Sequence, residues 1–186
     1  MTAPRGTPHP LAGGLAANTQ LSFRAVNRKG SADYQAGLQR HHLLPRQLVN
    51  RRCFGRFLDC LGRDRVGLHD FRANGLLLPS NSGEALRTGL PLHRGPHRLY
   101  SELVIERIGQ IEQGWVNARA CNADRATLEA LMRMKLLQRA LRKKLLQNNA
   151  GKALLNRHDP LGNGSDFTDL DAMADAIWGV TAPLEA

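Results

Sequence analysis

The residues best suited to chemistry in this sequence are histidines in an ordered pattern. The adjacent pair His41 and His42 is followed by Asn74, and then by His93 and His97, which are four residues apart. Three imidazoles can hold one metal ion, and a fourth imidazole beside the ion can act as a general base near pH 7. The pattern therefore predicts metal-assisted hydrolysis.

The charge of the chain indicates the kind of substrate. The formal net charge is +10, and residues 20–150 hold 23 Lys and Arg against 10 Asp and Glu. A positive field of this size attracts phosphate backbones and speeds association with them. Charge alone also fits a soluble basic protein with no nucleic-acid partner, but the histidine pattern favours the nucleic-acid interpretation.

Several short elements must position these side chains. We expect the histidine pair on or beside a strand that ends at Pro45, and a buried strand over Gly75–Pro79 after the turn dipeptide Asn74-Gly75. Proline is tolerated in the first turn of a helix, so Pro96 predicts a helix start near His93. We further expect a short strand over residues 21–26, a helix over 46–61, a loop over 80–92 and a long helix over 123–147.

These elements imply a convergent site. Neighbouring side chains on a strand point to opposite faces, so His41 and His42 cannot both face the same spot. His93 and His97, four apart at a helix start, can face one side. One histidine of the pair could then join these two at a metal ion while the other serves as the base. Asn74 could fix the geometry by hydrogen bonding across the hairpin.

The rest of the chain suggests one domain with tails. Residues 1–19 predict a flexible leader, residues 20–150 the functional domain, and residues 151–186 an acidic tail that could form a short helix. The tail holds 2 basic and 6 acidic residues. If it screens the basic helix, we expect its removal to tighten nucleic-acid binding without changing the site. No run approaches ~18 apolar residues and no secretory signal is visible, which favours a cytoplasmic protein with no membrane span.

Three segments in this order resemble the AHH branch of the HNH/endonuclease VII superfamily. They are Gln-Arg-His-His-Leu-Leu-Pro at 39–45, Asn-Gly-Leu-Leu-Leu-Pro at 74–79, and His-Arg-Gly-Pro-His-Arg-Leu-Tyr at 93–100. The resemblance covers roughly residues 34–108. It departs at Arg40, where the branch often has a small residue. The resemblance implies an α+β, helix-rich fold in which a small ββα-metal nuclease core, two strands and a helix around one divalent cation, is embedded in helices.

The resemblance also implies roles for individual residues. His41, His93 and His97 match the metal ligands, His42 matches the general base, and Asn74 matches the asparagine that orients the site. The implied activity is that of an HNH-type endonuclease, a hydrolase that leaves 5′-phosphate and 3′-hydroxyl ends. DNA is favoured over RNA as the substrate. Residues expected to contact nucleic acid are Arg94, Arg98, Arg139, Arg142 and Lys143.

The identity of the metal and two further functions stay open at this point. An all-imidazole ligand set favours Zn²⁺ or Ni²⁺ in affinity, whereas nucleases of this superfamily can turn over with Mn²⁺ or Mg²⁺. The first alternative function is a catalytically inactive nucleic-acid-binding protein with a structural metal. The second is a toxin nuclease held inactive by an immunity partner.

Overall fold

The computed structural model describes residues 20–50, 52–95 and 97–147, together with Leu155 and Pro160. The leader expected at residues 1–19 and nearly all of the expected acidic tail therefore lie outside the described residues. Within the described part, a short 3₁₀ turn precedes two strands and seven helices. These are the turn Phe23–Ala25, β1 Leu38–His42, α1 Gln47–Asn50, α2 Arg52–Leu61, α3 Arg63–Val66, α4 Phe71–Asn74, β2 Gly75–Pro79, α5 Ser82–Thr88, α6 Arg98–Arg119 and α7 Ala123–Leu146.

The two strands form a small antiparallel sheet. In its register His42 lies opposite Gly75, and Leu38 lies opposite Pro79. The buried strand over Gly75–Pro79 is confirmed. A side chain at position 75 would meet the ring of Phe71, so only glycine allows the end of β1 to pair this close to α4. With its helix-rich surroundings, the sheet confirms the expected α+β class.

The connection between the strands differs from the expected hairpin. Helices α1–α4 lie between β1 and β2, and Asn74 is the last residue of α4 rather than part of a hairpin turn. The helix expected over residues 46–61 corresponds to α1 and α2. This segment between the strands supplies Arg46, Leu68, His69 and Asn74 to a cleft that His42 also lines.

Helices α6 and α7 pack side by side and contribute much of the apolar core. The helix predicted over residues 123–147 is confirmed as α7. The helix expected to start near His93 instead starts at Arg98, with His97 at its N-cap. Gly95 explains the difference, because its φ of 82° is a left-handed conformation that an α-helix cannot contain. His93 therefore lies in an extended loop.

Two other local predictions are wrong. Residues 82–88 form α5 inside the expected loop, because the Asn81 side chain caps the backbone N–H of Glu84 and Gly89 ends the helix with φ of 66°. The strand expected over residues 21–26 is the 3₁₀ turn Phe23–Ala25. None of the helices in the described ranges is long and apolar enough to cross a membrane.

Candidate metal centre and adjacent cleft

The strand β1 sends its two histidines to different environments, as its two-residue period requires. His41 is 3% exposed and meets His93 and His97 on one side of the strand. Ring centroids lie 4.9 Å apart for His41 and His93, 5.6 Å for His41 and His97, and 4.5 Å for His93 and His97. One ligand atom from each of the three histidines lies within 4.8 Å of the others. Residues distant in sequence thus form a compact cluster of imidazoles.

The unpartnered nitrogens of this cluster fit a divalent cation. Nε2 of His41 and Nδ1 of His93 are buried and have no hydrogen-bond partner. Nδ1 of His97 is 2.8 Å from the carbonyl oxygen of Leu155. Because a carbonyl can only accept, Nδ1 of His97 carries a proton, and in the neutral ring Nε2 keeps the lone pair that could bind a metal. Buried polar atoms without partners are costly, and coordination of a metal would satisfy them.

The electrostatics of the cluster keep His41 and His93 in the form that binds metals. Burial lowers the pKa of His41 well below its ordinary value, and the neighbouring His93 and His97 lower it further. Burial, followed by the proximity of His97, lowers the pKa of His93 to about 4. Both rings are therefore neutral at pH 7, and a metal ion needs to displace no proton from them.

Backbone contacts hold the loop that carries His93 against the sheet. The N–H of His93 donates to the carbonyl of Pro79, the last residue of β2, at 2.7 Å. From the first turn of α6, the buried Tyr100 hydroxyl donates to the Leu43 carbonyl at 2.8 Å, and its ring lies 5.1 Å from that of His41. The sheet and α6 therefore locate the three imidazoles relative to one another.

On the other side of β1, His42 lines a cleft of about 400 Å³. Its half-buried ring is stacked on that of Phe23, with centroids 3.8 Å apart and an interplanar angle of 3°. Burial, then the charges of Arg46, His69 and Arg40, lowers the pKa of His42 to about 4. The cleft thus presents an oriented, neutral imidazole among basic side chains, including Arg24 and Arg46.

Asn74 is 1% exposed and ties the two halves of the site together. Its Oδ1 accepts from the N–H of Leu44 at 2.7 Å, and its Nδ2 donates to the carbonyls of Leu44 and Leu68 at 3.3 and 3.0 Å. The Asn74 side chain thus connects the end of α4 to Leu44, two residues after the histidine pair, and to Leu68, rather than bonding across the sheet as expected. With its amide committed to main-chain groups, Asn74 acts as a positioning residue for the end of β1.

The basic residues expected to contact nucleic acid occupy different settings. Arg94 and Arg98 are exposed next to the histidines of the cluster in the chain, and Arg139 and Lys143 are exposed on α7. Arg142 is half-buried, and its Nη2 donates to the carbonyls of Arg72 and Ala73 at 2.8 and 3.4 Å. Arg142 therefore fastens α7 to α4 next to Asn74, which the helical pattern of α7 did not reveal.

Sequence reasoning missed several neighbours of the site. His69, which no sequence pattern included, lines the cleft of His42. Arg40, noted only as a departure from the AHH pattern, donates to main-chain carbonyls of residues 23 and 26. Leu155 carried no signal at all, since its contact with His97 is made by a backbone carbonyl. Arg24 was indicated only by the basic character of the chain.

Comparison with known proteins agrees with this geometry. Residues 22–143, well over half of the chain, match the AHH family, described as a nuclease family of the HNH/endonuclease VII superfamily with conserved AHH. The chain belongs to this nuclease family, and the family implies a nucleic-acid substrate. No curated protein and no solved structure matched the chain. The matched segment includes every histidine of the cluster and the cleft.

Proposed function

We propose that this protein is a metal-dependent endonuclease that hydrolyses phosphodiester bonds of DNA, with His42 as the general base. The observation that carries the proposal is the arrangement around β1. Three imidazoles, two of them with unpartnered buried nitrogens, meet on one face of the strand, and a neutral imidazole opens into a basic cleft from the other. Membership of a nuclease family supports the same reaction class.

His41, His93 and His97 would hold the cation. A divalent ion bound there supplies Lewis-acid stabilisation of the charge that develops on the phosphate and on the departing 3′-oxygen. The protein prepares the site before any ion arrives, because burial keeps His41 and His93 neutral and the Leu155 carbonyl fixes the tautomer of His97. Zn²⁺ and Ni²⁺ suit three imidazoles best, and Mn²⁺ and Mg²⁺ are the other candidates.

His42 would take the proton from the attacking water at a ring nitrogen. The water oxygen then forms a bond to phosphorus in line with the P–O3′ bond, which breaks. This step leaves a 5′-phosphate on one fragment, and the departing oxygen takes a proton from a solvent water, which leaves a 3′-hydroxyl on the other. The stack on Phe23 holds the plane of the His42 ring, which suits a base that must meet water in one direction.

The cleft of His42 supplies the electrostatic attraction for the substrate. Arg24, Arg46 and His69 line it, and a phosphate in the cleft would lie among their side chains. Exposed Arg94 and Arg98 extend the positive surface past the histidine cluster. His42 and the cluster face opposite sides of β1, but His42 lies near enough to His93 to lower its pKa. We propose that the polynucleotide backbone passes the end of β1 at this point, so that one phosphate reaches both the cluster and His42.

Cleavage of supercoiled plasmid by the purified full-length protein tests the proposal. We expect nicking with at least one of Zn²⁺, Ni²⁺, Mn²⁺ and Mg²⁺, none with EDTA, and ends that DNA ligase can rejoin. His42→Ala serves as the catalytic control, and RNA is assayed in parallel. Binding without cleavage of either nucleic acid by any metal-loaded sample would overturn the proposal in favour of a binding protein with a structural metal.

A further inference from the structure

We propose that Arg40 is a positioning residue that fastens an N-terminal strap, residues 20–27, so that Phe23 stays stacked on His42. The proposal rests on the proposed function, because it takes His42 to be the base. It assigns a role to the position at which this chain departs from the AHH pattern.

The side chain of Arg40 bonds directly to the strap. Its Nη1 donates to the carbonyl of Phe23 at 2.8 Å and to that of Val26 at 3.4 Å. Arg40 and His42 are two residues apart on β1, so both side chains project from the same face of the strand. The guanidinium therefore holds the main chain of the residue whose ring covers His42. An alanine at position 40 has no donor for either carbonyl.

Both ends of the strap have other anchors. At one end, the N–H of Leu21 donates to Asp70 Oδ1 at 3.2 Å, and the Leu21 carbonyl accepts from the N–H of Phe71 at 2.7 Å. At the other end, Nδ2 of Asn27 donates to the carbonyl of Leu38 at 2.9 Å. The bonds of Arg40 fall between these anchors, at the 3₁₀ turn itself. Loss of Arg40 should thus release the turn while the strap stays attached.

The ring of Phe23 transmits this restraint to His42. It lies flat on the imidazole on one side and meets Phe71 edge-on, with centroids 5.2 Å apart. A parallel stack at 3.8 Å leaves the His42 ring little freedom to rotate out of its plane. Because Phe71 belongs to α4 and Phe23 to the strap, the stack exists only while the strap is held down. Arg40 thus acts on the base through Phe23.

The first experiment detects the stack without any assay of cleavage. In NMR spectra of the full-length protein, the ring protons of His42 should show the upfield shift of protons that lie over an aromatic face. Arg40→Ala and Phe23→Leu should both remove this shift, and Arg40→Lys should restore part of it. Arg28→Ala, which removes an exposed arginine just after the strap, is the charge control. A shift unchanged in Arg40→Ala would overturn the proposal even if the wild type cleaves DNA.

The second experiment separates positioning from direct contact with substrate. Arg40→Ala should lower kcat by up to about 10²-fold with little change in KM, in metal affinity by calorimetry or in Tm, because a misplaced base costs rate and not binding. In combination with Phe23→Leu it should lose no more than Phe23→Leu alone. Additive losses, with a higher KM and a salt dependence flattened by ~0.7–0.9, would show instead that Arg40 contacts a phosphate. A wild type that cleaves nothing would refute the proposed function, while the NMR result would still decide the role of Arg40.

Discussion

At the scale of single residues, the opposite orientations of His41 and His42 separate two losses of function. His42→Ala should slow cleavage by ~10²–10⁴-fold, the usual contribution of a general base, and leave metal binding intact. His41→Ala should abolish metal binding as well as cleavage, because His41 Nε2 faces the cluster. Calorimetric titration with Zn²⁺ or Ni²⁺ beside a cleavage assay measures both effects. Equal loss of metal in the two variants would contradict the division of roles.

The environment of His42 also predicts a pH dependence. Burial, with Arg46 and His69, lowers its pKa to about 4, so the neutral base persists as the pH falls below the ordinary histidine value. The acid limb of kcat/KM should therefore lie below pH 6.5. Arg46→Ala removes a cation that opposes protonation, raises the pKa and should move the limb to higher pH. Profiles from pH 4 to 8, with metal occupancy measured at each point, test this. If Arg46→Ala leaves the acid limb at the same pH, the charge of Arg46 does not lower the pKa of His42.

At the scale of elements, the loop between α5 and α6 determines how His93 and His97 meet. Gly95 has φ of 82° with open space around its Cβ position, so an alanine there meets strain but no clash. That conformation costs an L-residue roughly 1–2 kcal/mol. If the loop relaxes to avoid it, metal affinity should fall by up to about tenfold. Gly109→Ala, inside α6 with equally open space, is the control: it should raise Tm and leave metal affinity unchanged. Equal metal affinities in the two variants would show that the conformation of this loop does not affect metal binding.

The same elements show how far the sequence could predict this molecule. The apolar periodicity and the flanking Gly and Pro residues located β2 and α7. The histidine pattern identified all three members of the histidine cluster. The position of His93 was missed because a single glycine conformation decides where α6 begins. The bonds of Arg40 and Arg142 could not be predicted, since both go to main-chain carbonyls, which carry no trace of their partners in the sequence. For Asn74, the sequence predicted a positioning role but not the main-chain groups to which its side chain bonds.

At the scale of the whole molecule, some of the basic side chains are expected to bind DNA and others support the fold. Exposed Arg139 and Lys143 suit contact with phosphates, whereas Arg142 supports α4. Arg139→Ala with Lys143→Ala should weaken DNA binding and flatten its log–log salt slope by ~0.7–0.9 per lost contact. Arg142→Ala should lower Tm and reduce kcat through Asn74. Binding titrations at several salt concentrations decide this, and an unchanged slope in the double variant would place the DNA path elsewhere.

The contact of Leu155 corrects the expectation that the segment after residue 150 is separate from the site. Leu155 is 3% exposed, and its carbonyl accepts from His97. Leu155→Ala keeps the backbone carbonyl but removes the buried side chain that anchors it. If the carbonyl then moves away from His97, metal binding should weaken by up to ~10–100-fold, the usual effect of losing a hydrogen-bond partner of a ligand. Leu131→Ala, an equal truncation at a 5% exposed core position of α7, controls for destabilisation. Similar metal affinities in the two variants would show that Leu155 contributes to packing but not to metal binding.

The bond between His97 and Leu155 spans 58 positions of the chain, and this distance has a consequence for the timing of synthesis. A ribosome makes all three histidines of the cluster and both strands before it reaches residue 155. A nascent chain that ends before this residue therefore contains every ligand but lacks the carbonyl that fixes the proton of His97. The candidate metal site of this nuclease is therefore complete only after the helices around it have been made, and a prematurely terminated chain lacks one of its hydrogen bonds.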